Sequence, residues 1–405
     1  CYLTCSVFGR KMTQYFHLES RPHFDSYEET VEKTSFLIQD AIKRQMVSDV
    51  PICTFLSGGV DSSVVSAVCA AELKKQGKKL TTFSFDFIDN DKYFKANSFQ
   101  PSQDRPYVDK MVSFLDSDHH YLECDNKMQA DLLYRSVDAH NLPCMADIDS
   151  SLQYFCEEVS HSHKVVLTGE CADEVFGGYP WFHREEMLNS GTFPWTPSLT
   201  PRKVLLKDDL VKSLHMDEYV KKIYDRSVSE INVLPSENEI ETNRRRIGYL
   251  NIRFFMQTLL NRMDRTSMFS GLEARVPFAD RKLVDYVFNI PWEMKAKDGL
   301  VKNILRQASK GLLPDEILFR RKSPYPKTYN PYYENLLAKR LKEVLSDSAS
   351  PLHSLLDLKQ VTQFLENPKD YGAPWYGQLM AGPQMIAYLL QIEYFLRKYN
   401  VSIRI

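Results

Sequence analysis

Ser57-Gly58-Gly59-Val60-Asp61-Ser62-Ser63 decides how this chain reads. Immediately before it, Val50-Pro51-Ile52-Cys53-Thr54-Phe55-Leu56 has the length and apolar content of a buried strand. Immediately after it, Val64, Val65, Val68 and Ala71 fall on one helical stripe. The unit is strand, glycine turn, helix. Two residues without Cβ let the backbone come close to a bound group. The helix start points free N–H groups and a positive dipole end at that space. Ser57, Ser62 and Ser63 add hydroxyl donors, and Asp61 adds a carboxylate suited to Mg²⁺. The loop reads as a phosphate cradle, and not as a Walker A loop, because no Lys follows the glycines. An ordinary strand-to-helix turn with an Asp/Ser cap is the competing reading.

Working outward, strand-like segments at 80–87, 119–124 and 164–168 alternate with helix-like segments at 107–115, 128–139 and 150–160. That alternation predicts an α/β fold with a parallel sheet flanked by helices. Upstream, residues 1–19 read as an extended hairpin turning near Gly9-Arg10. Residues 27–46 read as a helix with Val31, Phe36, Leu37, Ala41 and Ile42 on its apolar side. From about 185 the strand patterns stop. Helices are expected over 241–262, 280–288, 299–310 and 376–397, the last as core packing, so the C-terminal part is mostly helical. The stretches 89–105 and 190–202 read as mobile loops.

A second constellation is Thr168-Gly169-Glu170-Cys171-Ala172-Asp173-Glu174, where another buried strand runs into Gly and three carboxylates follow. In a doubly wound sheet the carboxyl ends of strands line the ligand crevice. Two such ends, near Ser57 and Thr168, then face one site. Asp61 and Asp173 would clamp one Mg²⁺ on a triphosphate, leaving Glu170 as a proton acceptor. An acidic first helical turn is the alternative. Leu260 to Met268 and Gly271 to Asp280 alternate acids and bases among apolar residues, which predicts partly buried pairing. Lys302, alone on a helix, reads as solvent-facing when taken by itself.

Bulk properties narrow the classes. The chain has 405 residues, 43% hydrophobic and 26% charged, with a formal net charge of −2, so no whole-protein field recruits nucleic acid or an anionic membrane. No apolar run approaches the roughly 18 residues that span a bilayer. Residue 1 is Cys, and no basic region leads into an apolar stretch, so no signal peptide is expected. The sequence is expected to begin inside a longer gene product or after processing. Eight cysteines without a CxxC pair or zinc spacing fit a reduced, cytoplasmic setting. His119-His120 and His161-Ser162-His163 lack a Cys or carboxylate at ligand spacing and read as polar features at strand ends.

In order along the chain, SGGVDSS, TGECADEVFGGY, LNRMDRTSM, LEARVPFAD and the helix bearing Lys302 resemble the synthetase domain of the glutamine-dependent asparagine synthetases. These belong to the PP-loop ATP pyrophosphatases, with a Rossmann-like, adenine nucleotide α-hydrolase-like fold. The resemblance implies an interdomain connector hairpin over 1–25 and a synthetase domain over 26–405. It implies ATP and Mg²⁺, with Ser57, Gly58, Gly59, Asp61, Ser62 and Ser63 on the phosphates, and Asp61 and Asp173 on the metal. Leu56, Phe85 and Gly169 would lie against the nucleoside. Glu170 would assist the attacking ammonia and Lys302 would neutralise departing pyrophosphate. Glu174, Asp264, Arg265, Glu273 and Arg275 are further candidate substrate contacts. The reaction implied is adenylation of aspartate to β-aspartyl-AMP, then amidation by ammonia. The implied partners are small molecules and a glutaminase domain in cis or in trans, without nucleic acid or membrane, and a homodimer is compatible with it.

The match departs in places. The glutaminase domain would occupy roughly two hundred residues upstream of the connector, and an N-terminal-nucleophile sandwich cannot be built from the fifty or so residues before the phosphate loop. Cys1 is followed by Tyr-Leu-Thr rather than Gly-Ile, so it does not read as that nucleophile. Where relatives carry Thr-Thr-Ile-Arg this chain has Pro143-Cys144-Met145-Ala146-Asp147-Ile148-Asp149-Ser150-Ser151, which lacks the Arg that would read the aspartate α-carboxylate. Asp147 and Asp149 are left as ligands for the substrate ammonium or as helix caps. Cys171-Ala172 replaces Gly-Ser, and Arg262 stands where Lys is common. A β-lactam synthetase shares the fold and the adenylation, but a tyrosine usually occupies the Glu170 position there. A tRNA-modifying relative needs a basic face, and Arg320-Arg321-Lys322 with Lys327 is too small a cluster for one. Intact Asp61, Asp173, Glu170 and Lys302 argue against a non-catalytic relative.

Overall fold

A computed structural model describes residues 1–96, 100–368 and 382–403. The N-terminal hairpin pairs β1 (Tyr2–Ser6) with β2 (Gly9–Thr13) and turns at Val7-Phe8. Helix α1 (Tyr27–Gln45) starts at a capping box in which Ser26 and Glu29 satisfy each other's backbone amides. It buries Ile38, Ala41 and Ile42, while Phe36 points outward at 65% exposure, contrary to its place in the expected stripe.

The five remaining strands are β3 (Ile52–Phe55), β4 (Thr81–Phe87), β5 (Asp118–Cys124), β6 (Val165–Leu167) and β7 (Glu273–Arg275). They form one parallel sheet in the order β5-β4-β3-β6-β7. The chain moves from β3 to β4 on one side and later returns to place β6 on the other, pairing Ile52, Cys53 and Thr54 with Val165, Val166 and Leu167. The β3/β6 boundary is therefore the switch point of the sheet, where ligand crevices form beyond the strand ends. One face is covered by α1 and α2 (Val60–Lys75) through Ile38, Ile42, Val64, Val65 and Val68. The other is covered by Leu152, Phe155, Cys156 and Val159 of the Asp147–Ser160 helix and by Met263.

Strand β7 corrects the expectation that strands end near 185. Glu-Ala-Arg has no apolar alternation to announce it, and its place comes from backbone pairing of Val165 with Glu273 and Leu167 with Arg275. The segment 190–202 is not a free loop either. Phe193 is buried, and Trp195 packs 5.8 Å from Trp181 and 5.3 Å from Phe255, ring to ring. The 241–262 helix is in fact an α-helix at Glu239–Leu250, a π-helical stretch at Asn251–Met256 and an α-helix at Gln257–Phe269. The expected 299–310 helix shortens to Asn303–Ala308, because Lys302 takes a left-handed conformation with φ of 58°. The C-terminal helix runs from Gly382 to Lys398, and positions 376–381 of the expected helix lie outside the described residues. A second core joins it to the Pro331–Ser346 helix and to Leu133.

Candidate active site

The phosphate-cradle loop is pinned by its own serines. Ser57 N–H donates to Ser62 Oγ at 3.1 Å, and the two hydroxyls are 3.0 Å apart. Gly59 is the N-cap of α2 and supplies no side-chain cap, so the competing reading of an Asp- or Ser-capped turn does not hold. The first-turn N–H groups are left for an anion. Gly58 sits at φ +69°, and a Cβ there would meet Tyr107 at 2.7 Å. At the end of β6, a Cβ on Gly169 would strike Ser62 N at 2.5 Å, so the two strand ends touch through glycine.

Across this junction Lys302 Nζ lies 2.6 Å from Asp61 Oδ2 and 2.6 Å from Asp173 Oδ1. Lys302 is 3% exposed, so it is not the solvent-facing helical lysine expected when it is taken alone. Lys322 pairs with the other oxygen of Asp173. Burial and the neighbouring Asp173 charge push the Asp61 carboxyl above its usual range, although Lys302 opposes them. Burial acts the same way on Asp173, but two ammoniums outweigh it and hold that carboxyl low. Asp61 Oδ1 is buried without a hydrogen-bond partner. Two facing carboxylates with an unspent oxygen fit a hard divalent cation such as Mg²⁺.

The crevice over these groups is a cavity of about 310 Å³. Of the residues singled out in the sequence, Leu56, Ser57, Gly59, Asp61, Ser62, Phe85, Gly169, Glu170, Asp173 and Glu174 line it. Gly58, Ser63 and Lys302 are not among the lining residues, Lys302 being buried against the two carboxylates instead. Phe83, Phe85, Val108 and Leu122 supply apolar lining. Also on the wall, the Arg262 guanidinium donates to Glu170. Burial pushes Glu170 upward, Arg262 resists it, and Asp149 adds to the rise. Arg262 reaches the site because the π-helical stretch, which itself carries Phe255 to the cavity wall, shifts the register of the following helix and places Leu259 and Arg262 there as well. Asn251 anchors that stretch by donating to Glu174 O at 3.1 Å.

Four anticipated substrate contacts lie elsewhere. Asp264 and Arg265 are exposed on the outer side of their helix, where Arg265 donates to His140 O at 2.5 Å. Glu273 and Arg275 pair with each other on edge strand β7, and Arg275 also holds Gln45 O and Val47 O at 2.6 Å each. Asp147 and Asp149 are buried beside the site rather than on its wall, and the N-cap of their helix is Ala146.

Sequence reasoning missed other groups. Arg320 is not part of a surface patch; it turns inward, donating to Ser57 O at 3.0 Å and to Asp104 at 2.5 Å. Lys322, Tyr325, Tyr179 and Trp181 also line the cavity. For Arg320, Lys322 and Tyr325 the one signal was a basic run leading directly into Ser323-Pro324-Tyr325-Pro326, a rigid turn-prone segment that carries charge inward, whereas Tyr179 and Trp181 follow Gly177-Gly178 at the end of the acidic segment.

Residues 34–397 match the asparagine synthase family, and the chain belongs to that family. Over 403 residues it is 48% identical to asparagine synthetase [glutamine-hydrolyzing] 3 of Bacillus subtilis (strain 168), covering 99% of this chain and 65% of that protein. It is 26% identical over 387 residues to asparagine synthetase [glutamine-hydrolyzing] 1 of the same organism, covering 87% and 58%. To amidase chyE of Penicillium rubens it is 27% identical over 361 residues, covering 74% and 52%. The chain spans less than two thirds of the length of these relatives. Among the described residues no helix is long and apolar enough to cross a membrane.

Proposed function

We propose that this chain carries the synthetase chemistry of a glutamine-dependent asparagine synthetase, with residues 1–25 as connector and 26–405 as the synthetase domain. The observation that carries the reading is the meeting of Asp61 and Asp173, from two neighbouring strand ends, on one Lys302 ammonium. In the first step a side-chain carboxylate oxygen of aspartate attacks the α-phosphorus of ATP. The bond to the bridging oxygen breaks, giving β-aspartyl-AMP and pyrophosphate. A carboxylate is a poor acyl electrophile, and the adenylate supplies a leaving group. In the second step ammonia attacks the acyl carbon, the acyl–oxygen bond breaks, AMP departs, and the nitrogen gives up one proton to yield asparagine.

The free N–H groups of α2 with Ser57 and Ser62 hold the phosphates, while Leu56 and Phe85 face the nucleoside. Asp61 and Asp173 would hold Mg²⁺, which when bound supplies positive charge against the triphosphate. Lys302 stabilises the charge that gathers on departing pyrophosphate. Glu170, paired with the Arg262 guanidinium, receives the ammonia proton. Ammonia reaches the adenylate from a glutaminase domain in cis or in trans, or from solution. All eight cysteines are unpaired, which suits a reducing cytoplasm.

ATP–pyrophosphate exchange measured with aspartate, with glutamate and with no acid tests this reading. Exchange that depends on aspartate, followed by asparagine formation on adding ammonium, is expected. Exchange without any acid, or amide formation that needs no added ammonium, would overturn it, the second outcome favouring closure by an internal amine as in a β-lactam synthetase.

A further inference from the structure

Beside the site, the turn between two helices brings together three side chains of different ligand type. His140 ends the Asn126–His140 helix, Cys144 lies in the turn that follows, and Asp149 is in the first turn of the Asp147–Ser160 helix. We propose that His140, Cys144 and Asp149 form a binding site for a thiophilic divalent cation of the zinc class, separate from the carboxylates that suit Mg²⁺.

Their ligand atoms all lie within 4.8 Å of one another, and His140 Nε2 is 3.9 Å from Asp149 Oδ2. A tetrahedral zinc ion with bonds of about 2.0–2.3 Å needs its donors roughly 3.3–3.8 Å apart, so side-chain adjustments of about 1 Å close the site. Asp149 is fully buried and its Oδ1 has no hydrogen-bond partner, an arrangement that costs free energy unless something fills it. Its other oxygen accepts from Met145 N at 2.5 Å, which fixes the carboxylate in place. Gln391 does the same for the cysteine, donating to Cys144 Sγ at 3.2 Å and accepting from Cys144 N at 3.1 Å. Thr266 Oγ1 lies 3.1 Å from His140 Nε2. The turn is held under strain, since Ala146 sits at φ 52° without being glycine.

Charge favours a divalent ion here. One thiolate and one carboxylate cancel it, so the loaded site is neutral and buries no net charge. Binding breaks the Cys144 S–H bond, forms the metal–sulfur bond and releases one proton to solvent. Cys144 is only partly buried, which leaves a way in. Asp149 is also close enough for its charge to act on both Arg262 and Glu170, so occupancy is felt at the ion pair of the main site.

The test uses the full chain with exposed Cys1 and Cys5 changed to Ser, and Co²⁺ as the spectroscopic probe. One equivalent is expected to bind with a thiolate-to-cobalt charge-transfer band that Zn²⁺ displaces. Cys144→Ser should abolish the band, and His140→Gln or Asp149→Asn should weaken binding at least about tenfold. Absence of the band, or a band that survives Cys144→Ser, overturns the site. A second measurement needs no buried substitution: one equivalent of Zn²⁺ should protect Cys144 from alkylation, read by peptide mass spectrometry. Unchanged alkylation of Cys144 also overturns it.

Discussion

Asp61 Oδ2 and Asp173 Oδ1 lie equally far, 2.6 Å, from the Lys302 ammonium that joins them. One residue follows the end of β3 and the other follows the end of β6, and the strands are neighbours in the sheet. The switch in strand order thus converts two remote sequence segments into one charged grip. Lys302 balances that grip from a left-handed backbone position inside the fold.

Lys302→Met removes the ammonium, leaving the half-buried Asp61 without its cation while Lys322 still pairs with Asp173. ATP–pyrophosphate exchange should fall by about 10²–10³, the usual loss when one preplaced charge at a developing anion is deleted. The variant should also melt at lower temperature without metal and recover when Mg²⁺ is added, which calorimetry will show.

Arg262→Met strands Glu170, whose side chain is 18% exposed, and should cost about 3–5 kcal/mol in denaturant titration. Arg262→Lys should keep most of that stability, because an ammonium there still meets the carboxylate. Glu170→Gln should leave aspartate-dependent exchange intact while abolishing amide formation. Loss of both steps would give Glu170 a different task.

The pH response follows from Glu174. Burial first, and the Asp173 charge second, push its carboxyl from 4.5 up to about 7. The unfolded chain therefore gives up this proton at lower pH than the folded one, so this group's contribution to stability falls as pH rises from about 4.5 to 7. Glu174→Gln should flatten that decline in urea midpoints measured across the interval. Asp173 acts in another window: held low by its two lysines, its contribution is lost only as pH falls below 3.8.

Gly169→Ala places a methyl group 2.5 Å from Ser62 N and 2.8 Å from the Asp61 carbonyl carbon, both backbone atoms. The strand end and the start of α2 must separate. Nucleotide affinity should drop at least about tenfold, with a stability loss of about 1–3 kcal/mol.

Much of this arrangement was legible because β3 and β6 are apolar runs that stop at glycine and are followed by hydroxyls or acids. The cradle and the acidic turn announced themselves by local chemistry. β7 did not, since a three-residue edge strand of Glu-Ala-Arg owes its place to pairing with β6 rather than to any pattern of its own. Glu273 and Arg275 looked like site residues for the same reason, their charges being visible and their partners not. Arg262 and Asp264 show the limit for helices: two positions apart they face opposite sides, and only the π-helical shift upstream decides which one looks into the cavity. Arg320 and Lys322 looked like surface charge because their partners Asp104 and Asp173 are remote in sequence.

The central claim is that one magnesium nucleotide is gripped from both strand ends at once. Mg²⁺-dependent ATP binding by isothermal titration calorimetry, in a double-mutant cycle of Asp61→Asn and Asp173→Asn, tests it most directly. Each change should remove most of the Mg²⁺-dependent affinity, and the pair should cost less than the sum by about 1–3 kcal/mol, because either loss already opens the grip. Strictly additive losses, or undiminished Mg²⁺-dependent binding in either single variant, would contradict it.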